Sequence, residues 1–239
     1  MHRLICRRDE STLTKLVVDR SCGQLVDFTL TNTADEFLFC YVIDRSNLLK
    51  CFRLVRSEIY GEDVADAAKK LPSLEELELC HCMLGRSDIR DIGRSCTQLK
   101  HLRLNGHSGK ERPLERDEEA FAIAESMPEL RGLHLYGNKC MTNEGLQAIL
   151  DGCPYLEYLN LRRCTGIDTS GELLKNRLGR IKNVRLPDDP TDDYELDDVD
   201  HVSDPYFDDY PSPPNYDDEG NYLSDYDYDY DYDYEQLLQ

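Results

Sequence analysis

The chain has 239 residues, a net charge of −20, ten cysteines and no tryptophan. The charge is uneven: from Pro187 onward there are 20 Asp and Glu and no Lys or Arg, which leaves 48 − 20 = 28 acids to balance the 28 Lys and Arg before it. A neutral body with an acidic appendage is a poor match for nucleic acid or an anionic membrane, and neither is expected as a partner.

The opening residues, Met1-His-Arg-Leu-Ile-Cys-Arg-Arg, lack the apolar core of a secretion signal. The apolar run Phe37 to Ile43 is too short to span a bilayer. Ten cysteines without a C-x-x-C pair then read as reduced thiols in a cytoplasmic or nuclear protein. Residues 1–21 form an N-terminal region whose Leu13, Leu16, Val17 and Arg20 fall at helical spacing. This predicts a helix over Glu10–Arg20 that caps the edge of the strand beginning near Leu25.

A repeat then begins. The pattern L-x-x-L-x-L, with Ile, Val or Phe allowed, starts at Leu25, Leu49, Leu74, Leu99, Leu130, Leu156 and Ile181, at spacings of 24, 25, 25, 31, 26 and 25. Its x-L-x-L core alternates as a strand does, leucines inward and x residues outward. Helical spacing follows in between: Ala65, Ala68, Leu71; Ile89, Ile92, Cys96; Ala122, Ile123, Met127; and Leu146, Ile149, Leu150, Cys153. A strand and a returning helix every 25 or so residues is the signature of a leucine-rich repeat, whose period runs roughly 20–29 residues. The expected fold is an α/β solenoid over residues 22–186, about seven repeats, with parallel strands on the concave face and helices on the convex face. Two cysteine columns keep the same register. Cys22, Cys96 and Cys153 stand three positions before a first leucine, and Cys82 and Cys164 stand eight after one. They read as small buried spacers whose weak S–H reaches backbone carbonyls.

The spacing of 31 marks an insertion, Gly106 to Asp117, charged and punctuated by Gly and Pro, hence a surface loop. Residues 187–239 hold six prolines and end in five Asp-Tyr dipeptides, Asp225 to Tyr234. They read as a disordered acidic tail. The simplest role for it is solubility; a sharper one is competition with an acidic partner for the body.

No catalytic constellation stands out. Cys80-His81-Cys82 lacks a second pair at zinc-finger spacing, and Asn215 to Tyr226 lacks the closing glutamate of a calcium loop. There is no phosphate-binding, dinucleotide, zinc-protease or nucleophile-elbow motif. Neither an enzyme, a metal site nor a cofactor is expected. The chemistry left is a binding surface built from outward strand residues. Arg53, His101, Arg103, His134, Tyr136, Tyr158, Asn160, Arg162 and Arg185 are the candidate partner-binding set, rich in the Arg and Tyr that anchor interfaces. Glu76 and Glu78 bound it with the opposite sign.

Residues 10–186 resemble a known family. The cysteine-containing repeats are similar to those of F-box proteins. Val18 to Asp27, Leu71 to Leu79, Leu133 to Asn138 and Gly145 to Leu161 are similar more narrowly to the plant F-box/LRR group that includes the Skp1-interacting F-box proteins. The resemblance implies a non-enzymatic substrate-recognition component of an SCF-type ubiquitin ligase. The repeats would hold a target for degradation, and an F-box of about forty residues would bind Skp1 and, through it, a cullin. Here Met1 falls where that domain would have ended, and the tryptophan of its closing motif is missing. The expectation is a form truncated of its F-box, binding Skp1 only if an F-box is supplied or cryptic. The alternative is a stand-alone repeat scaffold, or a competitor that holds targets away from an intact ligase.

Overall fold

The structure is a computed structural model that describes residues 3–6, 11–33, 36–57, 59–80, 82, 84–105, 117–192, 215–216 and 222–223. It divides into one unit from Met1 to Pro190 and a second from Thr191 to Gln239. The expected surface loop over 106–116, His81 and the tail's disorder lie outside the described residues.

In the first unit the repeat pattern becomes an eight-stranded sheet, all parallel, in chain order. Its strands are β1 (Arg3–Cys6), β2 (Asp27–Thr33), β3 (Cys51–Ser57), β4 (Glu76–Cys80), β5 (His101–Asn105), β6 (Gly132–His134), β7 (Tyr158–Asn160) and β8 (Asn183–Arg185). Between them run helices α1 (Ser11–Arg20), α2 (Glu36–Ile43), α3 (Gly61–Ala68), α4 (Arg86–Ser95), α5 (Glu118–Ser126), α6 (Asn143–Gly152) and α7 (Glu172–Leu178). The expected α/β repeat solenoid is the fold found.

The register explains the constancy of the sequence pattern. Leu4, Phe28, Phe52, Leu77, Leu102, Leu133, Leu159 and Val184 pair across the sheet in one unbroken row. Cys6, Leu30, Leu54, Leu79 and Leu104 form the next inward row. Each buried aliphatic side chain is worth about 1.5–3 kcal/mol, and a single repeat has nothing to bury it against. Stacking supplies the partner. Where the row is aromatic, the Phe28 and Phe52 rings stack with centroids 6.1 Å apart, and Phe39 of α2 tilts onto Phe52 at 6.0 Å.

The cysteine columns tie one repeat to the one before it. Cys82 Sγ donates to Leu54 O (3.6 Å), Cys96 to Ala68 O (3.7 Å), Cys153 to Met127 O (3.5 Å) and Cys164 to Leu135 O (2.8 Å). Burial pushes the Cys82, Cys153 and Cys164 thiols up to about 12 and Cys96 up to about 11, so they stay protonated donors. Cys22 breaks the column: it is exposed and takes a positive φ of 49° in the turn after α1.

Two expectations at the N-terminus are corrected. The solenoid does not begin at Cys22, because β1 adds an eighth strand in which Leu4 and Cys6 take the places of Phe28 and Leu30. The helix α1 is also turned from the expected face: Thr14 and Val18 are buried, while Leu13 is 57% and Leu16 46% exposed. The i, i+4 pair wins because α1 packs against both β1 and α2, and Thr14 and Val18 fill that angle.

At the other end the chain stays pinned past Leu186. Pro187 O accepts from Arg163 N (3.0 Å), Asp189 Oδ2 accepts from Leu186 N (3.0 Å), and Pro190 O accepts from Arg162 Nη1 (2.8 Å). The second unit, taken by itself, contains a short antiparallel pair, β9 (Asn215–Tyr216) and β10 (Tyr222–Leu223).

Candidate binding face

Outward residues of the sheet line up in rows because parallel pairing in register repeats them. One row reads Asp27, Cys51, Glu76, His101, Gly132, Tyr158, Asn183; the next reads Thr29, Arg53, Glu78, Arg103, His134, Asn160, Arg185. Sequence positions 24–31 apart thus become side-chain neighbours.

The N-terminal half of the face is locked by its own charges. Arg53 Nη1 lies 2.8 Å from Asp27 Oδ1, its Nε 3.4 Å from Glu78 Oε2 and its Nη2 3.8 Å from Glu76 Oε2. Arg103 Nη1 stands 3.8 Å from Glu78 on the other side. Arg53 is therefore a structural cation held by three carboxylates, and Arg103 shares only Glu78 among these pairs.

The C-terminal half is aromatic and cationic. The His134 and Tyr158 rings stack at 4.6 Å, and Asn160 Nδ2 lies 3.4 Å from His134 Nδ1. Burial, then the nearby Arg103, Arg162 and His101, push His134 down to about 3, so its ring is neutral at physiological pH. His101 leans over Gly132: a Cβ there would clash with His101 Nδ1, so glycine makes the room for that ring. His101 and Arg185 are exposed, and Arg103 is partly so.

Three residues expected to face solvent do not. Tyr136 is 4%, Asn160 0% and Arg162 3% exposed. The strands β6 and β7 stop after three residues, so Tyr136 and Arg162 lie past their ends. Arg162 folds flat: its N and Nε both donate to Asn160 Oδ1 (3.1 and 3.2 Å), and its Nη1 reaches Pro190 O. Tyr136 carries the Arg163 guanidinium 5.4 Å from its ring centroid.

The charge rows were the part that sequence reasoning missed. Beside the face runs a second ladder, Lys50–Glu75–Lys100 (2.9 and 3.0 Å) and Arg131–Glu157–Lys182 (2.9 and 2.6 Å). The two lysines hold the Glu75 carboxyl down to about 2. The signal was opposite charges recurring at the repeat period. Asp117, at the end of the insertion, was also missed: its two carboxyl oxygens accept from Thr142 N and Oγ1, both at 2.6 Å, and so fix the residue that caps α6. No group of three or more His, Cys, Asp or Glu among the described residues is placed to hold a metal ion. No helix among them is long and apolar enough to cross a membrane.

An Arabidopsis thaliana protein named F-box/LRR-repeat protein 23 is 45% identical over 198 residues, 80% of this chain and 42% of that protein. The F-box protein SKIP19 from the same plant is 42% identical over 75% of this chain and 58% of its own length. F-box/LRR-repeat protein 22 is 40% identical over 81% and 63%. The chain thus spans about half the length of these relatives. No family model matches it. Among solved structures, the C-terminal domain of a Caenorhabditis elegans tropomodulin covers 72% of this chain and 91% of that one, at 11% identity and a TM-score of 0.38. By sequence similarity over about 80% of its length, this chain is a relative of the plant F-box/leucine-rich-repeat proteins.

Proposed function

We propose that the chain is a target-recognition component of an SCF-type ubiquitin ligase, acting in ubiquitin-dependent degradation from the cytoplasm or nucleus. The observation that supports this most is the 45% identity to an F-box/LRR-repeat protein over 80% of the chain. Its work is display rather than catalysis. The Cys82 and Cys164 thiols are protonated, and His134 is stacked and neutral, so none of these is poised as a nucleophile or base. The sheet face is the surface offered to a target, through Arg103, His101, Tyr158 and Arg185, with Arg53, His134, Tyr136, Asn160 and Arg162 holding that surface in shape.

The ligase side of the reading is tested by a pull-down of the full chain against Skp1, with an intact F-box protein as positive control. Capture of Skp1 would mean a cryptic docking element and would keep the ligase reading for this chain. A chain that is folded by circular dichroism yet fails to bind Skp1, while the control binds, refutes the ligase reading. It then acts as a repeat scaffold or as a competitor for targets.

A further inference from the structure

We infer that the rim of the sheet where strands β3 to β8 begin docks an acidic segment of a partner protein, with one carboxylate seated between Lys100 and Arg131. This surface lies beside the sheet face rather than on it, and the inference stands whether or not the chain serves a ligase.

The rim takes one residue from each repeat, the position just before the strand: Lys50, Glu75, Lys100, Arg131, Glu157 and Lys182. Parallel pairing sets them side by side in that order. Their contacts form two triads. Glu75 accepts from Lys50 Nζ with Oε1 (2.9 Å) and from Lys100 Nζ with Oε2 (3.0 Å). Glu157 accepts from Arg131 Nη1 with Oε1 (2.9 Å) and from Lys182 Nζ with Oε2 (2.6 Å). Each carboxylate is divided between two cations, so four cations meet two carboxylates and the row is left two charges positive. Helix cations of these repeats are matched one to one, as in Lys70 with Asp44 and Arg177 with Asp151. The turn residues just ahead of the row add Glu129 and Arg180, one of each sign. The excess is open to solvent: the four cationic side chains of the row are between 42% and 69% exposed.

The order of signs marks where a ligand fits. It runs plus, minus, plus, then plus, minus, plus, and the one step between neighbouring cations is Lys100 to Arg131. These two stand on adjacent strands, since Arg131 N donates to Lys100 O (2.8 Å). Among the described residues no carboxylate bridges them: Lys100 pairs with Glu75 and Arg131 with Glu157, on either side. The triads show what suits such a step. A carboxylate between two cations of this row stays ionised, as Glu75 does, held down to about 2 by Lys50 and Lys100. A partner's carboxylate at Lys100 and Arg131 would make the signs alternate along the whole row. Strands lie about 4.8 Å apart, so the row from Lys50 to Lys182 spans about 24 Å, the length of an extended segment of about seven residues. The net positive charge steers an acidic segment to this rim.

The test is fluorescence anisotropy at low salt with the full chain and a labelled peptide of alternating Glu and Ser. A peptide of alternating Gln and Ser is the neutral probe. The expected result is binding of the Glu peptide at least about tenfold tighter than the Gln peptide, weakening as salt rises. Lys100→Gln combined with Arg131→Gln should weaken it about fivefold or more, the scale of one or two exposed ion pairs. Glu75→Gln combined with Glu157→Gln releases all four cations and should tighten it by about the same factor, a gain that a loosened fold does not produce. Lys139→Gln, in the turn past the far end of β6, leaves it unchanged. Circular dichroism checks that each variant is folded. A full chain with Asp225, Asp227, Asp229, Asp231 and Asp233 changed to Asn excludes competition from the chain's own acidic run and gives the deciding measurement. No binding of the Glu peptide by that chain overturns the inference. So does equal affinity for the Gln peptide, indifference to the loss of Lys100 and Arg131, or no tightening on the loss of Glu75 and Glu157. Capture of a phosphoserine peptide in place of the Glu peptide overturns it as well, since the ligand is then a phosphate.

Discussion

His134 is neutral in the folded chain because its ring is buried and sits among Arg103, Arg162 and His101, which hold it down at about 3. An unfolded histidine titrates near 6.5. Between those two values the unfolded state binds the extra proton, so stability falls as pH drops from about 6.5 toward 3. The prediction is a urea midpoint lower at pH 5 than at pH 7, with part of that difference abolished in His134→Gln. An unchanged pH dependence in the variant would refute it. Arg53 makes the complementary case. It read as a binding residue, but pairing with Asp27, Glu76 and Glu78 makes it part of the scaffold. Arg53→Ala leaves three carboxylates facing one another and should cost about 1–3 kcal/mol in chemical denaturation. Single-residue patterns reveal that a position points outward. They do not reveal which neighbours, a repeat away, will meet it.

Helices show the same division. The spacing of Ile89 and Ile92 in α4 with Cys96 just past its end, and of Leu146 and Ile149 in α6, predicted the buried faces correctly. In α1 it failed, because apolar residues occur on two overlapping faces and packing against β1 and α2 chose between them. Leu16→Glu should therefore change stability by no more than about 0.5 kcal/mol, while Val18→Ala should cost about 1–3 kcal/mol. Thermal melts of the two variants check this, and a larger loss from Leu16→Glu would restore the expected face. The strand β1 was legible in hindsight: Leu4 lies 28 − 4 = 24 residues before Phe28, one full repeat, but a four-residue strand carries too few pattern positions to stand out.

At the scale of the whole molecule, each repeat touches only its neighbours, so stability is a sum of repeat and interface terms. A central repeat has two such interfaces and a terminal one has one. Leu102→Ala, in β5 and fully enclosed, should lower the global unfolding free energy by about 2–5 kcal/mol. Leu4→Ala, in the half-buried edge strand β1, should act mainly on local opening, with faster amide exchange in β1 and β2 and a global unfolding free energy within about 1 kcal/mol of wild type. Hydrogen exchange and urea titration on the same two variants separate the cases. Equal global losses would mean that the sheet unfolds as one cooperative block.

What the sequence determined by itself is the repeat: its period, its inward leucines, its cysteine columns and the parallel order of its strands. These come from alternation and helical spacing within a few residues, and from a repeat that cannot bury its own apolar edge. What only the tertiary structure decided is where the sheet begins, which face of α1 turns inward, and which outward residues remain open to a partner. Tyr136, Asn160 and Arg162 share the pattern of exposed residues and are buried. Their environment is set by side chains and backbone about 25 residues away, through packing and charge that local spacing does not encode.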